Sequence, residues 1–143
     1  MELEQIFHRF NPWWTGHFPA PGIVRENYVL ELLQEAEQKH ITFVTGLRRV
    51  GKTTILKQVI ARIIGKIKPQ HILFLSLDHS ALESFSLLKL VEKYREVHEL
   101  SSKEKIFLFF DEVQYHEKFE QDLKVLHDHE NVKLFASGSN SLL

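Results

Sequence analysis

The sequence predicts an α/β fold, a parallel sheet held between layers of helices. Three observations predict it. Four short apolar runs, at 41–45, 71–77, 106–110 and 132–136, lack the polar–apolar alternation of a half-exposed strand, so each reads as a strand buried on both faces. Stretches of helical periodicity separate these runs, which makes the connections crossovers rather than hairpins. The first run also passes through a glycine-containing loop directly into a helical stretch, a strand–loop–helix unit.

The elements follow in order. Residues 10–22 hold three of the four prolines and both tryptophans, Trp13 and Trp14, which reads as irregular structure pinned by aromatic anchors. Residues 1–24 are therefore an aromatic, proline-rich arm, and 25–143 a single core. Residues 25–39 carry Val29, Leu32, Leu33 and Ala36 on one helical stripe. After the β-branched strand 41–45, residues 52–64 place Ile55, Leu56, Val59, Ile60, Ile63 and Ile64 on one face, and Gly65 closes the helix. Pro69 precedes the strand 71–77. Ser80-Ala81-Leu82-Glu83 has the form of a capping box, so the next helix is expected to start there and run to about His98. Ile106 to Phe110 is wholly apolar, 118–128 shows Phe119, Leu123 and Leu126 at helical spacing, and 132–136 is the last strand.

Gly46-Leu47-Arg48-Arg49-Val50-Gly51-Lys52-Thr53 is a complete G-x-x-x-x-G-K-[ST] motif, the phosphate-binding loop. From average composition its four fixed positions match by chance about once in 25,000 starts; with a strand before it and a helix after it, coincidence is a poor explanation. Glycines bring backbone N–H groups close to a polyphosphate. Lys52 supplies a point charge for the phosphates, and Thr53, followed by Thr54, supplies a hydroxyl for the Mg²⁺ that accompanies a nucleotide. The helix that follows aims its N-terminal dipole at the same anion. The fold class sharpens to a three-layer P-loop NTPase sandwich, with ligand at the carboxyl ends of the strands.

The third strand ends in Asp111-Glu112. An acid at the tip of an apolar strand downstream of a phosphate loop is the Walker B arrangement. Asp111 is expected beside the loop as a Mg²⁺ ligand, with Glu112 placed to polarise a water. A group that orients water favours hydrolysis over transfer to another hydroxyl. The fourth strand ends in Ser137-Gly138-Ser139-Asn140-Ser141, a polar tip that would face the terminal phosphate if this strand lies between the first and third. Ser137 and Asn140 are the sensor candidates, with Ser139 an open alternative.

Together these pieces resemble the AAA+-type branch of P-loop ATPases, and within it a prokaryotic group with Thr-Gly-x-Arg-x-Val-Gly-Lys-Thr-Thr at the loop, here Thr45–Thr54. Asp111-Glu112-Val113-Gln114, Ser137–Ser141, Asn11-Pro12-Trp13-Trp14 and Arg25 carry the rest of the likeness. The resemblance implies a sheet ordered 5-1-4-3-2, ATP rather than GTP, and Mg²⁺. Such proteins continue into a fifth strand, a helical lid and a further domain, whereas this sequence stops at Leu143. The fifth strand, an arginine finger and a second sensor are therefore expected outside these residues, and a protein partner or C-terminal domain is expected to receive the signal. A non-hydrolysing nucleotide-binding module and a small-molecule kinase remain alternatives; the kinase would need lid arginines, and Arg95 is the only arginine after Arg62.

Composition bounds the rest. A chain of 143 residues, 43% apolar and 26% charged, is an ordinary globular domain. A net charge of −1 gives no footprint for nucleic acid. With no cysteine, disulfides and thiolate chemistry are excluded, which suits a cytoplasmic setting. No membrane span is expected. Arg48 and Arg49 would add positive potential at the loop, and Ile23, Val24 or Tyr28 could pack on a base. His116 and His127-Asp128-His129 are expected at the surface rather than on a metal. Phe135, Leu142 and Leu143 are expected to leave apolar surface open to self-association, so an oligomer is possible.

Overall fold

In a computed structural model, described over residues 2–16, 18–19, 21–23, 26–45 and 49–138 with backbone alone at 49 and 50, four strands form one sheet. These are β1 (Thr42–Val44), β2 (Ile72–Ser76), β3 (Ile106–Asp111) and β4 (Val132–Ser137). All pairings are parallel and the order is β1-β4-β3-β2, the 1-4-3-2 part of the expected order. Every residue of β3 and β4 is buried, as their unbroken apolar runs require. Phe109 and Phe135 sit opposite each other in register and stack with ring centroids 4.7 Å apart. The register also brings Ser76 level with Asp111, and Val44 level with Ser137, so the strand tips form one rim.

Among the described residues five α-helices flank the sheet: α1 (Leu3–Phe10), α2 (Glu26–Glu35), α3 (Arg49–Ile63), α4 (Leu87–Val97) and α5 (Phe119–His129). The pair α2 and α3 pack together, as do α4 and α5. Helix α1 is an element the sequence reading did not assign. Leu3, Ile6, Phe7 and Phe10 fall at i, i+3, i+4 and i+7, and Ile6 and Phe7 are fully buried where α1 lies against β2.

The arm also finishes the outer edge of β2 with side chains in place of a strand. Asn11, wholly buried, accepts from Phe74 N–H at 2.7 Å and donates to Phe74 C=O at 2.9 Å. Trp13 and Trp14 both donate their indole N–H to Ile72 C=O, at 3.2 and 2.8 Å. An open strand edge is a row of unpaired backbone groups; here Asn11, Trp13 and Trp14 pair the N–H and C=O of Phe74 and the C=O of Ile72.

On the opposite flank, Lys133 of β4 is fully buried and donates to His40 C=O at 2.6 Å and Thr42 Oγ1 at 2.9 Å, tying the entry of β1 to β4. Burial holds its ammonium below the usual lysine value, with Glu35 working against that shift.

Three expectations are corrected. Helix α4 starts at Leu87, capped by Ser86, whose Oγ accepts from Lys89 N–H at 3.1 Å. The earlier box only begins a 3₁₀ turn, Ser80–Leu82, because His79 Nδ1 takes the Ala81 N–H at 3.1 Å. Phe135 is buried rather than exposed, because β4 lies inside the sheet; the open apolar ring is Phe43 on β1. His116 is buried rather than at the surface, donating from Nε2 to Phe85 C=O at 3.0 Å. His127 pairs with Asp128 at 3.0 Å at the end of α5. Leu142 and Leu143 lie outside the described residues.

Candidate nucleotide site

The site forms where the carboxyl ends of β3 and β4 meet the start of α3. Lys52 and Thr53 stand in the first turns of α3, which begins at Arg49 rather than at Lys52. Lys52 is 4% exposed, and its ammonium donates to the Gly138 carbonyl just beyond β4. Keeping a lysine head buried requires a partner of this kind.

Asp111, the last residue of β3, is 2% exposed and collects three donors. Thr53 Oγ1 donates to Oδ2 at 2.5 Å. The Ser137 hydroxyl and, at 3.1 Å, the Glu112 N–H donate to Oδ1. Two motifs 58 residues apart in sequence thus meet through one hydrogen bond. Ser137 is completely buried, so its hydroxyl serves Asp111 rather than an open surface.

Glu112 leaves the strand with φ +56°, in the left-handed region that disfavours a side chain. The reversal ends β3 and starts a 3₁₀ turn, Val113–Tyr115. It brings Gln114 back to Glu112, with Nε2 donating to Oε1 at 3.2 Å. Gln114 stood in the Asp-Glu-x-Gln motif without a role. The spacing i, i+2 alone gave no reason to pair it with Glu112, because the contact depends on the left-handed residue.

The loop before α2 is tied to α3. Gln58, buried, donates to Pro21 C=O at 2.8 Å and Ile23 C=O at 3.0 Å. Gly22 has φ +68° and lies against Thr54: a Cβ there would meet Thr54 Cγ2 at 3.0 Å. This clamp carried no sequence signal. Ile23 is 91% exposed and Tyr28 half-exposed, while Val24 and Arg25 lie outside the described residues. So do Gly46, Leu47, Arg48, Ser139, Asn140 and Ser141, and the side chains of Arg49 and Val50. Gly51 is buried in the first turn of α3.

Among the described residues no helix is long and apolar enough to cross a membrane, and no cluster of three or more His, Cys, Asp and Glu side chains gathers.

A family model described as an AAA domain matches residues 38–143. An uncharacterised protein of Methanocaldococcus jannaschii is 35% identical over 109 residues, covering 76% of this chain and 23% of the relative. An uncharacterised protein of Haemophilus influenzae is 28% identical over 122 residues, covering 85% of this chain and 30% of the relative. The chain thus spans less than a third of either relative. Among solved structures, that of C. elegans PCH-2 is similar with a TM-score of 0.54 at 16% identity, over 92% of this chain and 41% of that one, a likeness of fold.

Proposed function

We propose, from the premise that the chain belongs to the AAA domain family and is a nucleotide-binding AAA-type domain, that it binds Mg-ATP at the β3–β4 rim and hydrolyses it, passing the change to a partner or to further domains of a longer protein. One observation carries this reading: Thr53 Oγ1 bonded to Asp111 Oδ2 at 2.5 Å. A hydroxyl and a carboxylate in contact are the hard oxygen donors that Mg²⁺ prefers, and they stand beside a buried lysine at the start of a helix. Bound Mg-ATP would supply the electrophilic phosphorus and the cation that neutralises its charge.

The remaining roles fall to this chain's own groups. Backbone N–H groups of Gly46 to Thr54 and the Lys52 ammonium bind the phosphates, with Arg48 and Arg49 adding positive potential. Thr53 and Asp111 hold the cation. Ser137 acts through Asp111, fixing that carboxylate so that its second oxygen stays turned to Thr53. Glu112 takes the proton of the attacking water. Asn140 serves as the sensor, and the exposed Ile23 packs on the base. A cytoplasmic setting, with its ATP and Mg²⁺, belongs to the same reading.

The test is titration of a fluorescent ATP analogue with Mg²⁺ against wild type, Lys52→Met and Asp111→Asn. A charge-assisted hydrogen bond is worth about 1.5–3 kcal/mol, so Lys52→Met is expected to bind at least about tenfold more weakly. Asp111→Asn is expected to lose the difference between Mg²⁺ and EDTA. Equal affinity of wild type and a folded Lys52→Met protein would sink the reading, and release of free phosphate distinguishes a hydrolase from a binding module.

A further inference from the structure

Two energetic costs fall on neighbouring residues of the rim. Glu112 is a side-chain-bearing residue at φ +56°, a conformation that persists only where its surroundings enforce it. Gln114 Oε1 is buried with no hydrogen-bond partner among the described residues, and such orphans are rare in folded proteins. A residue needed only for packing would be apolar here, since leucine fills similar space and orphans nothing. What the carboxamide offers and leucine cannot is its Nε2–H group, which donates to Glu112 Oε1 at 3.2 Å.

The other end of the carboxamide is seated on Gly138. A Cβ built on Gly138 would come within 2.8 Å of Gln114 Oε1 and 3.3 Å of Val113 Cγ2. Gly138 is also the residue whose carbonyl takes the Lys52 ammonium. Gln114 therefore lies between the acid and the backbone that the lysine touches, and the absence of a side chain at 138 makes room for it.

We propose that Gln114 is the positioning residue of this site: its amide holds Oε1 of Glu112, leaving Oε2 to take a proton from water, and Gly138 provides its seat. An amide suits the task because it donates without carrying charge, so it orients the carboxylate without pairing off its negative charge. This rests on the ATP-hydrolysis reading above, but the contact itself is testable without nucleotide.

The first measurement is the Gln114 side-chain amide signal in the ¹H–¹⁵N spectrum of the nucleotide-free protein. It is expected to shift in Glu112→Ala and in Gly138→Ala, and an unmoved signal in both overturns the proposal. The second compares wild type, Gln114→Leu, Glu112→Gln and the double variant for binding of the ATP analogue and for phosphate release. Gln114→Leu is expected to keep affinity within about twofold while turnover falls at least about tenfold. The double variant is expected to be no slower than Glu112→Gln alone, because both changes remove one function. A purely structural role would instead multiply the two losses. Turnover within twofold of wild type in Gln114→Leu, or multiplied losses, overturns the proposal. Failure of wild type to bind or turn over ATP refutes the function reading instead, and the amide signal then decides the positioning claim alone.

Discussion

Replacing Asn11 by alanine tests how the sheet is closed on its β2 side. The side chain makes three hydrogen bonds: it accepts from Phe74 N–H and donates to Phe74 C=O and Phe7 C=O, at 2.7, 2.9 and 2.7 Å. Truncation leaves the N–H and C=O of Phe74, in the middle of a buried strand, without the partner Asn11 supplies. Each orphaned buried group costs about 1–3 kcal/mol, so the expected loss is about 3–4 kcal/mol. That is a large share of the roughly 5–15 kcal/mol that holds a domain folded, and corresponds to a fall in melting temperature of about 10 °C for a chain of this size. Asn11→Asp is expected to do no better, because it keeps the acceptor but loses both donations and buries a charge. Urea unfolding followed by far-ultraviolet circular dichroism gives the stability. Amide exchange gives the location: Phe74 N–H is protected in wild type and is expected to exchange fast in Asn11→Ala. A loss under about 1 kcal/mol with Phe74 still protected would refute the idea that the arm acts as the sheet's missing edge partner.

Two further outcomes follow from the geometry. Glu112→Gly and Glu112→Ala both delete the carboxylate and differ in their tolerance of φ +56°. The left-handed cost of about 1–2 kcal/mol, less the entropy glycine gains when unfolded, about 0.4–1 kcal/mol, leaves the glycine variant more stable by about 0.5–1 kcal/mol; equal urea midpoints would count against strain at this residue. His98 is held below the usual histidine value, first by burial and then by His8 and His71, with Glu4 opposing. Its ring packs edge-on against Trp14 at 4.3 Å and Tyr94 at 5.3 Å. The unfolded chain then binds the proton more readily, so stability is complete above the ordinary value of about 6.5 and is lost as pH falls through the lower folded value. The loss between about pH 8 and pH 5 is expected to be smaller in His98→Gln than in wild type, as read from urea midpoints; parallel curves for the two proteins would reject the assignment.

What the sequence disclosed, and what it hid, separates along the range of the interactions. The apolar run Ile106–Phe110 names a buried strand and fixes Asp111 at its tip, because a strand's burial is written in its own residues. The phosphate loop is legible for the same reason, each fixed residue having a local job. Helix α1 was equally written, in Leu3, Ile6, Phe7 and Phe10, but eight residues ahead of a proline-rich stretch are easily read as part of an irregular arm. Ser80 is expected to open a helix, but a side chain next door, His79, takes the Ala81 N–H, and the helix is capped by Ser86 instead. The remaining features are not local at all. Phe135 is buried because β4 lies between β1 and β3, and His116 because its ring reaches Phe85 from 31 residues away. Asn11 closes β2 across 63 residues. At the rim both kinds meet: Asp-Glu-x-Gln announces the acids, but only the left-handed turn at Glu112 brings Gln114 to bear on it, and only the bare backbone of Gly138, 24 residues further on, leaves space for that. A motif thus reports which groups a site uses, whereas their orientation is set by residues whose relevance appears only when the strands are placed side by side.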